Sequence, residues 1–297
     1  MAIKTLVIGA GGTIGYHIMK ELDANPGDLD ITYTSIFPEE VEKWTAEGRK
    51  AIIMDLNNVD DIAKAVDGME RVFLLTTYSS DMLVWSYHVV DLAKKAGVKF
   101  IVHSGTYTCP DGELEMTPHF MWHRLIEAYI AQSGLAWCNV HPNNIIDTGL
   151  KGYGLKETKC MMTYCGDGGQ GIVWASDIAA VETTVLREGP DKHNQKDYYL
   201  SSEVVTPDEM VETLCKVTGE NYTCKKLTLD DLKNNYTGEM PTGFKYYGES
   251  AVYYMYTVQN NLQPMKLEVR DDCLTVLGRK GKNFEEGLRE FLPNLAF

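Results

Sequence analysis

Four glycines stand where a strand-forming run gives way to a helix-forming one. Gly9-Ala10-Gly11-Gly12-Thr13-Ile14-Gly15 follows the apolar stretch 3–8 and precedes apolar residues at helical spacing. Gly9 permits a tight turn, Gly12 lets a pyrophosphate approach the backbone, and Gly15 lets the helix pack close to the strand. The free N–H groups of the helix start, with Thr13 and Ile14 in the turn, and the helix dipole favour phosphate. The ligand this pattern expects is a dinucleotide. A second group of residues has the chemistry to move protons. Ser104 ends a strand-like run, and Tyr107 lies three residues on in the same loop. His119 and His123 are one helical turn apart and share a face, and a histidine can donate a proton near neutral pH. Paired histidines also suggest a metal. This pair lacks the glutamate of H-E-x-x-H and shows no third ligand in the sequence, so no metal is expected. Each histidine has a plainer reading too: His119 follows Pro118 and can start the helix, and His123 can be a satisfied partner within the fold.

Alternating elements must position these residues. Strands are expected at 3–8, 30–35, 50–53, 71–75, 98–103 and 136–140. Helices are expected at 13–22, 39–47, 59–66, 81–96 and 119–132, with Gly97 closing the fourth. Six alternating units with short links imply an α/β doubly wound parallel sheet. Ligands of such sheets bind at the carboxyl ends of the strands. Thr76, Thr77 and Tyr78 follow the fourth strand at that end, and Asn143 and Asn144 follow the sixth. The two asparagines could flank the reactive ring of the dinucleotide or simply form the turn after Pro142. Regularity breaks over 143–175, rich in glycine, methionine and aromatic residues. A helix near 177–186, a strand near 198–200 and a helix start at Thr206-Pro207 follow. No repeat and no linker appears. The expectation is one domain over 1–297, with a dinucleotide-binding core at 1–142 and a smaller C-terminal α/β substrate cap at 143–297 that returns some elements to the core. Tyr246 and Tyr247, in a tyrosine-rich stretch at 236–256, could line a flat apolar pocket or a core.

The second strand ends in Thr34-Ser35-Ile36-Phe37-Pro38-Glu39-Glu40. An acidic residue here would bind the ribose hydroxyls of NAD, and an arginine the extra phosphate of NADP. Neither stands at the usual place. Glu39 and Glu40 disfavour a phosphate by repulsion, or serve only the N-terminus of the next helix. The choice between NAD and NADP stays open. Ser35, Asp55 and Leu56 are further cofactor candidates, Asp55 at a position that contacts adenine in similar folds or caps a turn.

The glycine spacing and later motifs together resemble the NmrA-like atypical short-chain dehydrogenase/reductases. Gly9, Gly12 and Gly15 match their G-x-x-G-x-x-G. Val102-His103-Ser104-Gly105 is similar to the end of their fifth strand. Glu127 to Ile130 with Ser133-Gly134-Leu135 resembles their helix ending in E-x-x-I and SGL. Val140-His141-Pro142-Asn143 resembles their RPN turn, and Asp177-Ile178-Ala179 their DIA helix start. The resemblance implies a Rossmann fold that binds NAD(P)H. It also implies a reductase passing hydride to a small aromatic or conjugated acceptor: C=C, C=N, N=N, quinone or ketone. Short-chain reductases place a tyrosine and a lysine four residues apart, where this chain has His119 and His123. His123, His119, Tyr107, Ser104 or water would then serve the proton, and Tyr107, Asn144, Tyr246 and Tyr247 would face substrate. Two other functions are compatible with the resemblance: a dinucleotide-sensing regulator without turnover, and an isomerase or epimerase that retains its cofactor.

Composition narrows the partners. The 297 residues carry 28 lysines and arginines against 42 aspartates and glutamates, a formal net charge of −14. That acidity argues against a nucleic-acid partner. No apolar run has the roughly 18–20 residues that span a bilayer, and the start lacks a signal-peptide pattern. Seven cysteines without a C-x-x-C pair fit reduced thiols in a cytoplasmic protein.

Overall fold

The computed structural model describes residues 2–77, 79, 81–107, 118–152, 155–163, 166–228, 230–231 and 267–294. Tyr78, Tyr246 and Tyr247 lie outside the described residues. The chain begins β1 (Ile3–Ile8), α1 (Thr13–Ala24), β2 (Leu29–Ser35), α2 (Pro38–Ala46), β3 (Lys50–Ile53), α3 (Val59–Val66), β4 (Arg71–Leu74), α4 (Met82–Ala96), β5 (Phe100–Ser104), α5 (Pro118–Gln132) and β6 (Ala136–Pro142). It continues with β7 (Asn144–Ile145), α6 (Ile146–Gly152), α7 (Leu155–Thr158), β8 (Cys160–Thr163), β9 (Gln170–Val173), α8 (Ala175–Glu188), α9 (Pro190–His193), β10 (Lys196–Ser201), β11 (Glu203–Val205), α10 (Pro207–Thr218) and β12 (Thr223–Lys226). The last described elements are β13 (Arg270–Asp271), α11 (Cys273–Leu277), α12 (Phe284–Phe291) and a short 3-10 helix (Leu292–Asn294). Among the described residues, no helix is long and apolar enough to cross a membrane.

Two compact units result. The first holds Met1–Thr108, Phe120–His141 and Ile178–Tyr198, and the second Cys109–His119, Pro142–Asp177 and Tyr199–Phe297. In the first, β1 pairs in parallel with β2 and β4, β2 with β3, β4 with β5 and β5 with β6. The order β3-β2-β1-β4-β5-β6 reverses direction between β1 and β4. This is the doubly wound parallel sheet that the alternation implied, and its reversal opens the crevice where such sheets bind ligands. Strands covered on both faces must be apolar along their length. Leu6, Val7, Ile8, Val72, Phe73, Leu74, Phe100, Ile101 and Val102 are all buried, each burial stabilising by about 1.5–3 kcal/mol. Asn58 starts α3 by accepting the Asp60 N–H at 3.0 Å, with Asp60 and Asp61 in the first turn.

The second unit contains order where the sequence suggested irregularity. Over 143–175 the chain forms β7, β8 and β9. β9 pairs with β7 and β11, and β8 with β12. These strands are two to four residues long, too short to show a period of two, and they exist through pairing with distant segments. Their core surrounds Trp174, which stacks on Phe284 and packs against Phe291, with its indole N–H on the Asn283 carbonyl at 3.0 Å. α10 starts at Thr206 as expected, in a capping box with Glu209. Replacing Thr206 with alanine should lower the unfolding free energy by about 1 kcal/mol, and Thr206→Asn should retain most of it. Urea denaturation of the two variants checks this.

Candidate functional site

The carboxyl ends of β1 to β6 carry the candidate residues of the first unit. Gly9 leaves β1 with φ +88, and a side chain there would collide with the Leu75 carbonyl after β4. Gly15 sits so close to the Gly9 and Ala10 backbone that a side chain would strike both. The loop is therefore drawn tight against the neighbouring strand. Gly12 is the N-cap of α1. It supplies no side-chain hydrogen bond, and no acidic residue stands in the first turn. α10 and α12, in contrast, are closed by capping boxes. An uncapped helix start of bare glycines leaves its N–H groups for an outside anion, so this loop fits a diphosphate.

The end of β2 faces the same loop. Ser35 Oγ donates to Glu40 Oε2 at 2.5 Å and accepts the Phe37 N–H at 3.0 Å. A Cβ on Gly11 would lie 2.8 Å from that Glu40 oxygen. Glu39 and Glu40 do occupy the first turn of α2, but Glu40 also lays its carboxylate against the glycine loop. After β3, Asp55 Oδ1 accepts the backbone and side-chain N–H groups of Asn57, at 2.8 and 3.0 Å. It thereby forms a turn, which Trp85 Nε1 braces from Asn57 Oδ1 at 2.9 Å. Leu56 packs on the core of this unit. After β4, Thr77 is exposed and the Thr76 hydroxyl is buried, with no hydrogen-bond partner among the described residues.

β5 serves two groups of ionisable residues, because successive strand residues point to opposite faces. Ser104 is fully buried, on the side of the sheet where Glu182 of α8 lies, and neither has a hydrogen bond of normal geometry among the described residues. Burial pushes the Glu182 carboxyl up to about 8, and the nearby Ser104 hydroxyl only partly opposes this. Tyr107, just beyond, is buried as well. On the other face, the His103 ring lies 5.3 Å from the His123 ring, centroid to centroid. His103 Nδ1 is 3.9 Å from Glu127 Oε1, and His141 Nδ1 is 3.5 Å from the same oxygen. His141 also meets the Thr106 carbonyl and Asp197, each at 3.0 Å. Both of those partners are acceptors, so both ring nitrogens can be satisfied together only by an imidazolium. Burial works against that charge, but Glu127 and Asp197 outweigh it and raise the His141 pKa. Burial, with His123 and His141 nearby, holds His103 well below its usual value. Glu127 is pushed up to about 7 by burial, against the attraction of His141.

Thus the structure brings His123 together with His103 and Glu127. His119 is half-buried and belongs to the second unit, as do Asn143 and Asn144. Asn143 Nδ2 donates to Ser201 Oγ at 3.1 Å, and its backbone N–H to Leu200 O at 2.9 Å. Asn144 Nδ2 donates to the Gly171 carbonyl at 3.1 Å. Sequence reasoning missed His103, Glu127, His141, Asp197 and Glu182 as site residues. One signal was available: Glu127 lies four residues after His123, on the same helical face.

Comparison with known proteins agrees with this fold. The model of the NmrA-like family matches residues 1–271. An NAD(P)H azoreductase of Xenophilus azovorans is 24% identical over 237 residues, 78% of this chain and 80% of that protein. The triphenylmethane reductase of Citrobacter sp., solved with NADP(H), superposes with a TM-score of 0.78. It is 22% identical, with 96% of this chain and 98% of that one covered. NmrA, a negative transcriptional regulator solved with NADP, superposes with a TM-score of 0.76 at 17% identity, over 99% of this chain and 97% of that one.

Proposed function

The chain belongs to the NmrA-like family, and on that premise we propose that it is a reductase that prefers NADH and acts on a small conjugated acceptor. The observation that carries this reading is the uncapped glycine loop of α1 with the Glu40 carboxylate against it. The loop backbone would hold the pyrophosphate. Glu40, positioned by Ser35, would accept hydrogen bonds from the adenosine ribose hydroxyls and repel a phosphate there. Thr76 and Thr77 stand after β4, beside the switch point of the sheet. The bound nicotinamide supplies the hydride, and the chain supplies its placement.

The acceptor class follows from the missing acid. Where short-chain reductases commonly have a tyrosine and a lysine, this chain has His119 and His123, and both His123 and Tyr107 are buried. An acceptor that spreads the incoming charge over its own conjugated system needs little help from a protein acid and can take its proton from water. Quinones, azo bonds, conjugated imines and dye cations meet that condition, and an isolated ketone does not. The azoreductase and the triphenylmethane reductase that resemble this chain act on such molecules, as their names state.

Oxidation of NADH and NADPH should be followed with a panel of quinones, azo dyes, triphenylmethane dyes and enones. Turnover of at least one conjugated acceptor is expected, with NADH the better donor. Tight NADH binding with no oxidation by any acceptor would sink the enzyme reading. It would favour a dinucleotide-sensing regulator, which the loss of the tyrosine–lysine pair also supports. Turnover without net NADH oxidation would point to an isomerase.

A further inference from the structure

The buried cluster beside α5 has no assigned task in the reduction. His123 and Glu127 are four residues apart and so project from one face of that helix. β5 brings His103 to the same face. One donor atom from each of the three lies within 4.8 Å of the other two. Neither His103 ring nitrogen has a hydrogen bond of normal geometry among the described residues; the Asn139 side chain is the polar group beside the ring, which is fully buried. A buried polar group left in that state is costly, and an ion is one of the few partners that relieves it.

We propose that His103, His123 and Glu127 are the protein ligands of a divalent transition-metal ion. Two imidazoles with one carboxylate suit zinc, cobalt or ferrous iron, whereas magnesium and calcium take oxygen ligands. Three protein ligands with one position open is also the arrangement of zinc in its reactive sites. Closing on an ion with bonds of about 2.1 Å would draw the donor atoms together by roughly an ångström.

The surroundings are those such a site requires. Carboxylate ligands are held by a further partner. Here His141 stands 3.5 Å from Glu127 Oε1 and is itself fixed by Thr106 and Asp197. Room for the carboxylate is made by Gly105, where a Cβ would come within 2.7 Å of Glu127 Oε1. The i, i+4 pair that the sequence suggested for a metal was His119 with His123. The structure replaces His119 with Glu127 and supplies the third ligand from the strand.

The test uses the full chain without cofactor. Protein stripped with a chelator is dialysed against Zn2+ and its metal content measured, and Co2+ is added while visible absorption is recorded. One ion per chain, Co2+ d–d bands and a higher melting temperature with Zn2+ are expected. Glu127→Gln and His123→Gln preserve side-chain bulk and, by removing a direct ligand, should weaken binding by at least the roughly 100-fold that loss of an outer partner can cost. Circular dichroism reports whether each variant still folds, and one folded variant suffices. Uptake of less than one ion by the wild type would overturn the proposal. So would wild-type affinity in either folded variant, since the ion would then sit elsewhere, on thiols for instance. Should both variants fail to fold, a wild-type Co2+ spectrum without nitrogen and oxygen ligation overturns it, and one with such ligation supports it.

Discussion

Replacing Glu40 with glutamine should shift the ratio of NADH to NADPH affinity toward NADPH by at least tenfold, and Glu40→Arg should shift it further. The carboxylate is tied to Ser35 and rests against Gly11, so it cannot swing away without losing a hydrogen bond. Two like charges about 4 Å apart repel by about 4 kcal/mol at an effective dielectric of about 20. Solvent at the mouth of the loop screens part of this. One to two orders of magnitude in the ratio of dissociation constants is therefore the expected change. Arginine adds attraction for the phosphate and removes a partner of the ribose. Fluorescence titration of both cofactors against wild type and variants measures the ratio directly and needs no substrate. A wild type that binds NADPH more tightly, or a ratio that Glu40→Gln leaves unmoved, would remove Glu40 from cofactor selection.

The second large effect concerns stability against pH. Glu182 is fully buried, and its carboxyl is raised to about 8. In the unfolded chain it titrates near 4.5. Between these values the native state holds a proton that the unfolded state releases. Stability from this group is therefore complete below about 4.5 and falls as pH rises to about 8, where the loss is complete. Each pH step of one across that window removes about 1.4 kcal/mol, so the whole window is worth several kcal/mol. Glu182→Gln stays neutral throughout. Its urea-unfolding free energy should fall less than that of the wild type between pH 5 and pH 9 by that amount, on the order of 4 kcal/mol. The difference between the two proteins isolates Glu182 from Glu127 and His141, whose raised values act in the same direction. Parallel pH profiles for both proteins would show that Glu182 does not carry the burden that its burial implies.

Much of the first unit could be read from the chain because its order is local. Buried parallel strands must be apolar runs, and the links between them are short. The segments 50–53 and 59–66 therefore emerge at the ends the structure gives. The glycine loop was legible for the same reason: its turn, its approach to a neighbour and its helix start lie within seven residues. The second unit was less legible. Asn144–Ile145 and Gln170–Val173 have little strand character of their own and are held by pairing. Glu182 reads on a helix as one more solvated acid, and only the packing of α8 makes it otherwise. The same limit applies to His103, Glu127 and His141. Two strands and a helix bring them together, through a register in which His103 pairs with Asn139 and Ser104 with Val140. No spacing along the chain encodes that register.

The alternation along β5 divides its contacts between two helices. His103 and Ser104 are neighbours by sequence, yet each answers to a different acid on a different helix, with a hydrogen-bonded layer of apolar strands between them. Charge on either face is still felt through the low-dielectric strands, as Cys138 shows: beyond its burial, Asp197 and Glu182 both push its thiol up. A fold arranged in this way can change the partners of one helix by exchanging a few residues at strand ends, while the apolar framework of the sheet stays as it is.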